Sequence, residues 1–294
     1  MASVKSSVDR DDRRAPDADA LWHDIGLELR LEPVKTRIRL DNIAAMLPVV
    51  RVLAVRDFKA KFKQSVLGPI WIFLQPLALL AAFLVGFRSV ATIKTSGVPY
   101  VVFVLIAIGA WTYFQASLSM GAVSLVTNAQ LMQRTACPRL AFPVAALIAN
   151  LPSLAVPLVA GLVAAAVTGE LSLRVLLLPL GVLWLLVATA GVVMLTSALN
   201  VRYRDLLAVL PLTLQLGVFF SPIGYQAADL PGVARTLIGL NPLAGVMETW
   251  RWMILPIHPP DSGLIALSLA MTAVLVLAGW FVFTRSEPTM ADVV

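Results

Sequence analysis

Four basic side chains, Arg56, Lys59, Lys61 and Lys63, stand together just ahead of a long apolar run that opens at Gly68. Cationic groups at such a place suit an anionic partner, above all the phosphates of headgroups at a membrane surface. A second polar group, Asn128 and Leu131 followed by Gln133, Arg134 and Arg139, lies beyond another apolar run. It is placed to dock into a partner, although retention of cations on one side of a membrane gives the same pattern. Other chemistry is disfavoured. No Gly-x-x-x-x-Gly-Lys-Ser/Thr occurs, so the chain has no P-loop for nucleotide phosphates. Cys137 stands alone, which rules out an intrachain disulfide or a cysteine metal cluster. With only His23 and His258, a histidine-rich metal site is not expected. Glu170, Asp229 and Asp261 are scattered where an enzyme would cluster its carboxylates. Glu248 and Arg251, three apart, suit an ordinary ion pair on a short helix. No catalytic residue and no metal ligand is expected.

The elements that must position these groups are membrane helices. Hydrophobic residues make up 59% of the 294 and charged ones 14%, against about 45–50% and about 25% in soluble domains. Mean hydropathy is +0.85, and the apolar residues fall in blocks. A span needs about 20 mainly apolar residues, and six stretches qualify: 68–87, 99–121, 141–167, 174–199, 206–225 and 264–284. The third carries Pro143, Pro152 and Pro157 and is expected to kink. The fourth and fifth are joined by a tight polar hairpin, Asn200 to Asp205, in which an acidic residue at a helix start is favourable. Within 41–66, Val49, Val50, Leu53, Ala54, Phe58 and Phe62 recur at three- and four-residue spacing with basic residues between them. That describes an amphipathic helix in the membrane interface, or one packed on protein. Residues 1–40 are mixed in charge and read as a flexible tail with no leader peptide.

Orientation follows from the cations. With the N-terminus inside, the inside segments hold 18 Lys and Arg and the outside segments 5, so both termini are expected in the cytoplasm. The same bias accounts for the basic pI of 9.8 without a nucleic-acid partner. Region 226–263 holds a moderately apolar piece, Val233 to Leu255, broken by Asn241-Pro242. It fits a pair of short re-entrant helices, or an external loop across the bundle. No acidic side chain lies near the centre of a predicted span, where ion-coupled carriers place theirs. An ATPase partner on the cytoplasmic side is then the economical energy source.

The run Arg56-Asp57-Phe58-Lys59-Ala60-Lys61-Phe62-Lys63-Gln64-Ser65-Val66-Leu67-Gly68-Pro69-Ile70-Trp71, continuing to Gln75-Pro76, resembles the approach to the first span of type 2 ABC exporter permeases. It is similar to the polysaccharide export branch, which includes O-antigen, capsule and teichoic acid permeases. Three more stretches resemble that branch in order: Asn128-x-x-Leu131 with Pro138-Arg139 and Pro143, then Asn200 to Asp205. The last is Ser221 to Tyr225 with Leu240 to Leu243 and Glu248-x-x-Arg251-Trp252. Together they cover about residues 50–290. The resemblance implies an all-α integral membrane fold of six transmembrane helices, preceded by the amphipathic interfacial helix, with short re-entrant helices between spans five and six. The expected division is the tail 1–40, the interfacial helix 41–66 and the transmembrane domain 67–294.

The same resemblance implies a homodimer with the pathway between the chains and two ABC ATPase subunits below it in a bacterial inner membrane. ATP and Mg would be bound by those subunits, leaving this chain no cofactor. Asn128, Leu131, Gln133, Arg134 and Arg139 would belong to the coupling loop. Arg56, Lys59, Lys61 and Lys63 would admit the diphosphate of a polyprenyl-linked polysaccharide from the membrane lipid. Trp71, Phe73, Phe83, Phe219, Phe220 and Tyr225 would offer rings to sugars along the channel, though rings near span ends also serve as interfacial anchors. Three rivals remain open at this point: a type 2 permease for a drug or ordinary lipid, an ion-coupled carrier, and a glycosyltransferase using polyprenyl sugars.

Overall fold

A computed structural model describes residues 41–63, 65–86, 95, 97–134, 138–203 and 205–287, with backbone alone at 41–45, 133 and 134. The predicted tail 1–40 lies outside the described residues. All regular structure among the described residues is helical.

The first helix, α1, spans Asp41–Phe62. Its buried side is Met46, Val50, Leu53 and Ala54, the i, i+4, i+7, i+8 spacing of one helical face. That face packs on α5, Ala141–Ala149, within an apolar cluster that includes Leu125, Phe142 and Phe283. The other side exposes Leu47, Val52 and Val55 beside Arg51 and Lys59. The chain then turns at Gly68, whose φ of +50 is a conformation glycine adopts without strain. A 3-10 turn, Gly68–Ile70, leads into α2, Trp71–Gly86.

At the centre stands α3, Tyr100–Thr127, buried along most of its length. It carries Phe103, Ile106, Trp111, Tyr113 and Leu125 into the core and touches α2, α5, α6 (Leu151–Val167), α7 (Leu178–Arg202) and α10 (Pro242–Ile254). The predicted kink of the third span falls at Asn150, between α5 and α6. Pro152 has no N–H for the carbonyl four residues back, and Ser153 donates to the Asn150 carbonyl at 2.9 Å instead. The Asn150 side chain closes the gap by donating to the Ala146 carbonyl at 2.8 Å.

The last helix, α11, spans Ser262–Ser286 and packs chiefly against α7. The two cross where Gly191 meets Gly279. A Cβ added at Gly191 would lie 2.8 Å from the Val276 nitrogen, so only small residues permit this approach.

Among the described residues, five segments are long and apolar enough to cross a membrane: Gly68–Gly86, Tyr100–Thr127, Ala141–Val167, Leu173–Arg202 and Ser262–Ser286. They correspond to five of the six predicted spans. The remaining one, predicted over 206–225, is not a single helix. Its helix α8, Leu206–Gly217, has 12 residues and reaches about 18 Å, short of the roughly 30 Å of a bilayer core. Turns follow through Tyr225. Around the predicted Asn241-Pro242 break lie two short helices, α9 (Gly232–Gly239) and α10. Asn241 caps α10 by accepting from the Leu243 N–H at 3.0 Å, and Pro242 occupies the first turn, where no N–H is needed. Nearly all of α10 is buried against α3, α7 and α11, so protein shields it on most sides.

Candidate functional site

Two groups of polar contacts mark opposite ends of the bundle. At one end the last turn of α3 meets α1. Arg56 donates to the Asn128 side-chain oxygen at 2.6 Å and pairs with Asp57 at 2.7 Å. Asn128 is the C-cap of α3, and its amide donates to the Ser124 carbonyl at 2.7 Å. The short helix α4, Ala129–Arg134, follows at once. Leu131 packs against the apolar cluster beneath α1. The side chains of Gln133 and Arg134 lie outside the described residues. Arg139 is half-buried and its charge acts on Glu287, just past α11. Burial raises the Glu287 carboxyl above its ordinary range, and Arg139 pulls it back.

The four basic candidates do not share one face of α1. Arg56, Lys59 and Lys63 follow at three- and four-residue spacing, on the side away from the bundle or at its edge. Lys61 stands seven residues after Ala54, on the packed side. Lys61 is exposed as a whole, yet its ammonium reaches the buried Asn150 side-chain oxygen at 3.1 Å. Burial there lowers the Lys61 pKa from its ordinary value. Lys61 also lines a pocket of about 180 Å³ with Phe62, Trp71, Ile72 and Gln75, at the corner where α1 gives way to α2. Lys61 and Trp71, expected in different roles, therefore share one cavity.

At the other end the turned segment after α8 is held by its own Tyr225 and by side chains from farther along the chain. Tyr225 returns its hydroxyl to the Phe219 carbonyl at 3.1 Å. Asn241 donates to the Phe220 carbonyl at 3.2 Å and to the Ser221 hydroxyl at 2.9 Å. Tyr100 donates to the Gly224 carbonyl at 3.0 Å. Arg251 donates to the carbonyls of Ile223 at 2.6 Å and Tyr225 at 3.1 Å. Backbone that leaves a helix within a membrane protein must find such partners, because hydrocarbon offers none.

Arg251 is wholly buried. Besides those two carbonyls it donates to the Phe103 carbonyl at 3.2 Å and to Glu248 at 3.1 Å, and its guanidinium lies 3.6 Å from the centre of the Phe103 ring. Glu248 also accepts from the Ala227 N–H at 3.1 Å. Burial pushes the Glu248 carboxyl up, and Arg251 opposes the shift. The i,i+3 pair read from the sequence forms, and it is buried in the core. Sequence reasoning missed that burial, and it missed Tyr100 as a partner of the break. The one available signal was the placement of a carboxylate and a guanidinium among Trp250, Trp252 and Met253.

The six candidate channel rings divide by exposure. Trp71 and Phe73 are exposed on α2, and Phe219 and Phe220 are 61% and 64% exposed past the end of α8. Tyr225 is half-buried with its hydroxyl engaged, and Phe83 is buried at 4% exposure among core residues. Phe83 and Tyr100 both stand against Gly224, where an added Cβ would meet the Phe83 ring at 2.6 Å.

Among the described residues no group of three His, Cys, Asp or Glu could hold a metal ion. What remains is a helical membrane bundle without a nucleotide motif, carrying the short helix α4 beyond its central span. The chain belongs to the ABC-2 type transporter family, which it matches over residues 48–255. It is a type 2 ABC permease by that membership. Within the family it is similar to the O-antigen export system permease protein RfbA of Myxococcus xanthus, at 26% identity over 243 residues, 82% of this chain and 93% of that one. Two proteins of the same name from Klebsiella pneumoniae are 28% and 26% identical over 213 residues, each covering 71% of this chain and 81% of its own.

Proposed function

We propose that this chain is the membrane subunit of an ATP-driven exporter that carries a polysaccharide linked to a polyprenyl diphosphate across the bacterial inner membrane. The observation that carries this reading is the similarity to O-antigen export permeases over most of the chain. Two copies of the chain would form the pathway, with an ABC ATPase subunit beneath each holding ATP and Mg. Both termini would be cytoplasmic, and α8 with its turned extension would make the fifth of six crossings. The helices α9 and α10 would dip in from the outer side as a re-entrant pair, a reading supported by the burial of α10.

The helix α4 would seat in the ATPase. The Arg56–Asn128 bond supports transmission of its movement to α1, because Asn128 joins α3 to α4. The exposed apolar and basic side of α1 supports contact with lipid headgroups, and the Lys61–Trp71 pocket supports recognition of a phosphate-bearing headgroup there. Exposed rings on α2 and beyond α8 would line the route for sugars.

Affinity purification of the full chain from its own membranes is expected to bring down an ABC ATPase. Disabling hydrolysis in that subunit should abolish surface polymer; export that persisted would return the ion-coupled reading. Neutralising Arg56, Lys59, Lys61 and Lys63 together is expected to cut export while the chain still assembles with the ATPase. Unchanged export in that variant would end the headgroup role.

A further inference from the structure

We propose that Glu248 and Arg251 are positioning residues for the cargo: by clamping the turned backbone after α8, they fix where the Phe219–Phe220 edge stands. This deepens the export reading and rests on it.

The pair is an expensive way to hold α10 in the bundle, since apolar side chains of similar volume commonly serve as well or better. What it supplies, and apolar residues cannot, is partners for backbone that has left a helix. Arg251 gives donors to Ile223 and Tyr225 in the break and to Phe103 on the central helix. Glu248 takes the Ala227 N–H just beyond. The staple therefore ties α3, α10 and the break at one point. Had α8 continued as a helix, residues 218–225 would satisfy themselves and these donors would have no acceptors there.

The rings depend on the break in turn. The chain folds back so that the Tyr225 hydroxyl reaches the Phe219 carbonyl, and Asn241 holds the Phe220 carbonyl. Both phenylalanine backbones are thus pinned while their rings stay exposed. Two adjacent exposed rings on a fixed turn offer flat apolar faces of the kind that sugar rings stack on, whereas Arg251 is itself too deep to meet a cargo.

The test uses the full chain with Cys137, its lone cysteine, replaced by serine, and Phe220→Cys as a reporter. Glu248→Gln and Arg251→Lys are then compared for the rate of reaction with a soluble maleimide and, with Phe220 restored, for export per folded molecule. Each is expected to change the labelling rate and lower export per folded molecule several-fold. In a Phe219→Ala/Phe220→Ala background, Arg251→Lys should cost no further export, because the staple then has no edge to place. Wild-type labelling in both variants would overturn the proposal, as would export losses that merely follow folded amount or that add fully to loss of the rings. Labelling needs no polysaccharide. A shift in labelling in a chain that exports no glycan would refute the cargo while leaving the placement of the edge standing.

Discussion

Replacing Arg251 with leucine is expected to leave little folded protein in the membrane. Removing one partner of a buried ion pair costs about 3–5 kcal/mol, because the other charge stays buried and unpaired. Here Glu248 would be that charge, and the carbonyls of Phe103, Ile223 and Tyr225 would lose their donor in the same step. Total stabilities of about 5–15 kcal/mol leave small room for such a loss. Glu248→Gln is expected to be milder, since an amide oxygen can still accept from Ala227 and Arg251. Thermal unfolding of purified protein, followed by size-exclusion chromatography, measures both variants. A leucine variant that melted with the wild type would mean that the break is held without Arg251, by partners such as Tyr100, Tyr225 and Asn241.

The second large effect is expected at the crossing of α7 and α11. Gly191→Val would drive its side chain into backbone at Leu275 and Val276, within 3.0 Å of a Cβ alone. Backbone cannot step aside as a flexible side-chain end would, so the helices must separate. Overpacking typically costs about 1–3 kcal/mol and occasionally more, and contact with backbone places this case at or beyond the upper end. Gly86→Ala, at the open end of α2 where nothing lies within 4 Å, is the matched control. It should change stability by less than about 0.5 kcal/mol. Equal melting of the two variants would show that α7 and α11 do not approach as described.

Much of this fold is legible in the sequence because membrane helices are selected by length and apolarity, which a local window reads directly. That is why Tyr100–Thr127 and Ser262–Ser286 fall where the apolar runs predict them. Pro152 marked the kink of the third span for the same local reason. The break in the fifth stretch was not legible for a long-range reason. Residues 206–225 are apolar enough for a span, but the groups that hold their last third in turns sit at Tyr100, Asn241 and Arg251. The Tyr100–Gly224 bond joins residues 124 apart, and the Arg251–Phe103 bond joins residues 148 apart. No window contains either pair. The basic cluster was legible as a group and not as individuals. Helical spacing alone separates Lys61 from Arg56, Lys59 and Lys63, but only packing reveals that its side faces Asn150 and Trp71.

Export of a lipid-linked polysaccharide is tested most directly by depleting this protein in cells, then extracting and localising lipid-linked glycans. The expected result is finished, lipid-linked polymer accumulating on the cytoplasmic side while the surface loses it. A normal surface glycan with no internal accumulation would contradict the export reading.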